Sequence, residues 1–209
     1  MNDAGEFPNA FEPLIVPRFF AARNALFLVD PARVIEAFGD AALGSDLLHR
    51  FTRQRANDAV WTDGIAVPAF GVEAGYYTVL IRSTATDEAM IPLTHIVYST
   101  GFVLGTETGD LLLCNADRLA DWRPGHLPAF NPTRNPETHA RFPILGFERP
   151  VRVAPGWYAV TVVVGIREAG EDAAEPANEE WVCAFLLDPR TERPVFTADP
   201  DRTLNFFGA

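Results

Sequence analysis

The spacing of apolar residues changes character near residue 60. Before that point the pattern is mixed. Leu26-Phe27-Leu28-Val29 is a short apolar run that reads as a strand. Asp30 follows with a side-chain acceptor suited to a helix N-cap, and Pro31 suits the first helical position. Val34, Ile35 and Phe38 then recur on one helical face, and Gly39 is placed to end the helix in the left-handed conformation. A second helix is expected from Asp46 to Arg55, with Leu47, Leu48 and Phe51 inward and His49, Arg50, Arg53 and Arg55 on the other face. From Trp61 the period is two. Strands are expected at Ile65 to Phe70, Tyr76 to Arg82, Ile91 to Tyr98, Phe102 to Thr106 and Leu111 to Cys114, set off by Gly and Asp turns. They resume at Ile144 to Phe147, Val151 to Val153, Trp157 to Ile166, Trp181 to Leu187 and Val195 to Thr197. Between them, residues 123–143 carry Pro124, Pro128, Pro132 and Pro136 at every fourth position and no apolar period, which reads as a long loop.

The strand pattern repeats itself. Ala74-Gly75-Tyr76-Tyr77-Thr78-Val79-Leu80-Ile81 returns as Pro155-Gly156-Trp157-Tyr158-Ala159-Val160-Thr161-Val162: a glycine turn, an aromatic pair, then β-branched residues. Neighbours on a strand point to opposite faces, so one aromatic of each pair enters the core while the other faces outward. A second motif, an apolar strand ended by Asp or Asn with an Arg soon after, occurs at Leu26 to Arg33, Leu111 to Arg118 and Phe185 to Arg190. Its Asp or Asn suits the cap of the following turn. Self-similarity of this kind predicts a mainly β protein: two similar antiparallel β units forming sandwich layers, with two short N-terminal helices. The expected organisation is an N-terminal segment over 1–60 packed on the β core, a first unit over 61–122, the proline loop over 123–143 and a second unit over 144–209.

Composition narrows the chemistry. The 209 residues are 48% hydrophobic and 22% charged, an ordinary globular balance. All 17 basic residues are arginine, so lysine Schiff bases, lysine general bases and P-loop lysines are excluded. The net charge of -11 argues against nucleic-acid binding, which needs clustered cations, and suits a basic protein partner or plain solubility. No apolar stretch has the length of a membrane span, the N-terminus lacks the features of a signal peptide, and two cysteines make no disulfide framework. A cytoplasmic location is the expectation.

Catalytic constellations are scarce. Only Ser45, Ser83 and Ser99 are serines, and none sits in a nucleophile elbow. Cys114 lies inside an apolar strand and reads as a buried hydrophobe rather than a partner for His95. No cofactor motif is present, and His126 and His139 lack ligands at zinc spacing, so neither a cofactor nor a metal is expected. Glu107 with Asp110, and Asp117 with Asp121, read as solvated carboxylate pairs. The stretch from Glu168 to Glu180 holds six carboxylates and no base. It reads either as a solvated loop or as an acidic hook for a basic partner.

Thr108-Gly109-Asp110-Leu111-Leu112-Leu113-Cys114-Asn115-Ala116, followed by Arg149-Pro150-Val151-Arg152-Val153-Ala154-Pro155-Gly156-Trp157-Tyr158-Ala159-Val160, resembles a pattern in uncharacterised bacterial β-domain families. There a strand ending in Cys-Asp-Pro precedes Pro-Gly-x-Tyr-x-Val. Some of these families look like toxin-immunity or nuclease-inhibitor proteins. The chain departs at Asn115-Ala116, where the pattern has Asp-Pro, and by the insertion over 123–143. The resemblance implies a fold and brings no catalytic residue.

The leading expectation is therefore a non-enzymatic protein-binding module, immunity- or inhibitor-like, meeting its partner through Glu171, Asp172, Glu179, Glu180, Tyr76 and Trp157. An alternative is an enzyme or small-ligand binder with His126, Arg134, His139 and Asp121 under the proline loop. A third is a structural or oligomer-forming β protein.

Overall fold

A computed structural model describes residues 11–42, 44–53, 58–84, 93–122, 148–167, 180–200 and 202–205. The strands are β1 (Leu14–Ala21), β2 (Ala25–Val29), β3 (Ala66–Phe70), β4 (Gly75–Ser83), β5 (Thr94–Thr106), β6 (Asp110–Asn115), β7 (Glu148–Arg152), β8 (Gly156–Arg167) and β9 (Glu180–Arg190). The helices are α1 (Pro31–Phe38), α2 (Leu47–Arg53), α3 (Asp58–Thr62) and α4 (Ala116–Ala120), with a 3-10 turn at Gly39–Ala42. The fold is mainly β, as the pattern predicts, and its strands form two stacked sheets.

One sheet runs β1-β4-β9-β8-β5 and the other β3-β2-β6-β7. Each sheet takes strands from both the 61–122 and the 144–209 stretches, and β1 and β2 join them from the first thirty residues. The pairing is antiparallel except between β4 and β9, which run parallel and meet across a long stretch of chain (Thr78 opposite Val182). The two repeat strands, β4 and β8, both flank β9 in the five-stranded sheet.

Alternation along the strands builds two cores. Leu26 and Leu28 of β2, with Leu111 and Leu113 of β6, face the five-stranded sheet and meet Tyr77, Val79, Tyr158, Val160 and Phe185. The intervening Phe27, Val29, Leu112 and Cys114 point the other way, against Val34, Leu47, Phe51, Trp61 and Trp122 under the helices. β2 and β6 are thus buried on both faces, which is why they are unbroken apolar runs. A smaller buried cluster, Leu80, Val163, Val182 and Ala184, lies on the outer face of the five-stranded sheet.

The caps form as read in two of the three copies. Asp30 accepts from Arg33 N at 3.0 Å to start α1, and Asn115 accepts from Arg118 N at 3.1 Å to start α4. Asn115 also donates through its amide nitrogen to Phe20 O at 3.0 Å, tying β6 to β1. An aspartate has no such donor, so the asparagine at the departure from the family pattern has a structural use. The third copy does not cap. β9 continues through Asp188 and Pro189 to Arg190, whose side chain pairs with Asp188.

Three expectations shift. Ile91 to Tyr98 and Phe102 to Thr106 contribute to one strand, β5, bulged at Gly101, whose φ of 86° suits glycine. Val195 to Thr197 is extended but not a strand, although Thr197 N and Ala198 N donate to Gly101 O and so cover the β5 edge. β1 was not foreseen, because Pro17-Arg18 interrupts its alternation. α2 is described over Leu47–Arg53, with Asp46 accepting from His49 N at 2.8 Å at its start, and residues 54–55 of the expected helix lie outside the described residues. The strand expected at Ile144 to Phe147 and the loop over 123–143 lie outside the described residues.

Candidate functional site

β1 is an edge strand with a bulge. Val16 pairs with Val79 and Phe19 with Tyr77, so Pro17 and Arg18 together oppose Thr78. The extra residue is accommodated by Arg18 at φ 54°, a left-handed backbone unusual for a side chain with a Cβ. The bulge turns the Arg18 guanidinium over the Tyr76 ring, 5.6 Å from its centroid. Tyr76 also meets Phe20, its register partner, at 5.2 Å between centroids. Both aromatics lie on the outer face, and Ile15 stands further along the same face. Tyr76 is 48% exposed and Ile15 57%.

β9 supplies the other wall. It begins beside the start of β4, so Glu180 and Trp181 come level with Tyr76 and Tyr77. Trp181 packs on Tyr77 at 5.4 Å and lies over Gly75, where a Cβ would meet its ring at 3.5 Å. Between these walls is a groove of about 560 Å³ lined by Arg18, Gly75, Tyr76, Thr78, Glu180 and Trp181, among others. Glu180 is committed on both oxygens: Thr78 Oγ1 donates to one and Arg167 Nη2 to the other. Arg18 has no carboxylate partner among the described residues, whose ion pairs use other arginines. The available charge in the groove is therefore positive, in a chain that is acidic overall.

Trp157 sits elsewhere. It pairs with Arg190 on β9 whereas Glu180 pairs with Arg167, which places it roughly 34 Å from the Tyr76 end at the usual strand rise. Its ring is flanked by two guanidiniums, Arg33 Cζ at 5.0 Å and Arg193 Cζ at 5.5 Å from the centroid. Arg193 also donates to Asp63 Oδ1 and Thr62 O at 2.6 Å, so Trp157 helps fasten the C-terminal segment to the end of α3. Gly105, its register partner, leaves room for it: a Cβ there would lie 2.5 Å from Trp157 Cζ3 and would strike Arg33 as well.

Of the residues singled out from sequence, the fold brings Tyr76 and Glu180 together and holds Trp157 apart. Glu171, Asp172 and Glu179 lie outside the described residues, as do His126, Arg134 and His139. Asp121 is the exposed C-cap of α4, and its carbonyl accepts from Arg118 Nη1 at 3.0 Å. Asp117 pairs with Arg23 at 2.6 Å and Asp110 with Arg152 at 2.9 Å, both in solvent. Both thiols are buried. Burial pushes Cys183 up to about 12, and raises Cys114 still further from its ordinary value, with Glu148 adding to the effect. Neither is a nucleophile near neutral pH. Sequence reading missed Arg18, Phe20 and Trp181. The available signal was Pro17-Arg18 inside the otherwise apolar run Leu14 to Ala21, a place where bulges belong.

No family model matches the chain and no curated protein matches it. Two solved structures share a weak overall likeness. One is titled "Crocagin biosynthetic gene J", with 17% identity, 83% of this chain and 94% of that one covered, and a TM-score of 0.36. The other is ComJ from Bacillus subtilis, titled an inhibitor of the DNA degrading activity of NucA, with 7% identity, 87% and 97% covered, and a TM-score of 0.37. Among the described residues no helix is long and apolar enough to cross a membrane.

Proposed function

We propose that the chain is a non-enzymatic protein-binding module of the inhibitor or immunity type, acting in the cytoplasm and docking through the Tyr76 end of the five-stranded sheet. The observation that carries this reading is the exposed surface of Tyr76 and Ile15, with the half-buried Phe20 against the tyrosine, beside a groove. Such a side chain offers a large, stiff contact area and a polar tip, which suits an interface. In sequence the acidic stretch from Glu168 leads into β9, whose first residues line that groove, so a basic partner would find acidic residues beside the aromatic surface rather than within the groove. The buried, weakly acidic thiols add support by leaving little nucleophilic chemistry to the described residues.

The test is affinity capture of a partner from the native host at low and high salt, followed by two variants. Tyr76→Ala, and the joint neutralisation Glu171→Gln, Asp172→Asn and Glu179→Gln, should each release the captured protein. Undiminished capture by both variants would refute the reading.

A further inference from the structure

We infer that the groove beside Tyr76 accepts a carboxylate of the partner, carried by an aspartate, a glutamate or a chain terminus on an extended segment. The inference rests on the docking reading above and gives that site its ligand chemistry. It goes against the sign of the whole chain, whose net charge of -11 points to a basic partner.

Three observations combine. First, the acid in the groove is already satisfied: Thr78 and Arg167 occupy the two oxygens of Glu180, so an incoming cation would have to displace a formed ion pair. Second, Arg18 is exposed and without a carboxylate among the described residues, although its ring contact with Tyr76 holds it at the groove wall. A guanidinium stacked on an aromatic keeps its in-plane N–H groups free, and these match a carboxylate in pairs. Third, the bulge that gives Arg18 this direction holds a non-glycine residue at φ 54°. Backbone conformations of that kind persist where the surroundings over-determine them and cluster at ligand clamps. The Tyr76 ring beneath the cation, backed by Phe20, offers apolar surface next to it, so the carboxylate best recognised is one next to an apolar or aromatic residue.

The probes are three blocked pentapeptides, acetyl-Gly-Phe-Glu-Phe-Gly-amide and its Gln and Lys counterparts, titrated into the whole protein and followed by amide, arginine Nε–H and tryptophan indole resonances. The Glu peptide should shift Arg18, Gly75, Tyr76 and Trp181 saturably, with the Gln and Lys peptides about tenfold weaker. Arg18→Lys should keep part of the preference, Arg18→Gln should abolish it, and Arg18→Glu should favour the Lys peptide. Equal binding of all three peptides, a preference for Lys in the wild type, or no shift with any of them would overturn the inference. Captured partner separates the two levels. Loss on Tyr76→Ala with full retention on Arg18→Gln refutes the carboxylate while leaving the docking surface in place. Retention on both removes the docking surface itself.

Discussion

Tyr77 and Tyr158 spend their hydroxyls alike at opposite ends of one sheet. Tyr77 donates to the carbonyl of Glu73 at 3.1 Å and Tyr158 to that of Ala154 at 2.5 Å, each four residues upstream, and each ring is about 1% exposed. The duplicated phrase in the sequence is thus a duplicated device: a tyrosine that enters the core and pins the turn leading into its own strand.

Removing either hydroxyl leaves a turn carbonyl without its partner. Tyr77→Phe and Tyr158→Phe should each lower the unfolding free energy by about 1 kcal/mol. The double variant should lose close to the sum, because the two sites are far apart. Urea unfolding of the three variants checks both statements.

Burial raises the pKa of Tyr77 and Tyr158 above the ordinary tyrosine value, and pushes that of Cys183 up to about 12. These groups stay protonated in the fold at pH values where the unfolded chain has already ionised. Their stabilisation is therefore complete below the unfolded pKa values and lost as pH rises toward the folded ones. Thermal midpoints should fall between about pH 9 and pH 12. Tyr77→Phe and Cys183→Ala should fall less steeply than wild type over that window.

Gly105 has no left-handed backbone to justify it; what it provides is space for Trp157. Gly105→Ala should displace the indole and both guanidiniums against it, and cost about 1–3 kcal/mol. Trp157→Ala in the same chain should recover part of that loss, because the ring is one of the two groups the new Cβ would strike, the other being the end of the Arg33 side chain. A double-mutant cycle by chemical denaturation reads the coupling directly.

Arg18 pays for its direction in backbone strain. Arg18→Gly should leave the unfolding free energy unchanged or raise it by up to about 1 kcal/mol, while Arg18→Ala, which keeps a Cβ at the same φ, should show no gain. Greater stability in the alanine variant than in the glycine variant would count against strain at this position.

Much of this fold is legible in residue order. The two-residue period, the capped strand ends at Asp30 and Asn115 and the inward member of each aromatic pair all appear where local chemistry dictates them. What local chemistry does not carry is which strands become neighbours. Nothing near Thr78 or Val182 announces that they pair in parallel, since that choice is set by the packing of the whole sheet. Gly105 reads from sequence as one residue of the strand Phe102 to Thr106, because nothing beside it in the chain announces the ring for which it leaves room. The site shows the same division. Tyr76 stands out as an aromatic beside a glycine, and Glu180 as part of an acidic run. Arg18 becomes visible only after a bulge turns it, and Trp157 parts from Tyr76 only once both strands are laid against β9.

β9 lies between β4 and β8, at the centre of its sheet, yet the ribosome makes it after all four of its companions. Until residues 180–190 emerge, β1–β4 and β5–β8 are separate antiparallel pairs, each with an unsatisfied inner margin. The last-made strand joins them with contacts a hundred residues apart in sequence, as at Thr78 and Val182. Loop closure of that span comes before any reward, so this chain assembles slowly and only after its translation has passed that strand. A nascent or truncated form lacking it presents two open sheet margins, and in the cell it is this form that most needs a chaperone.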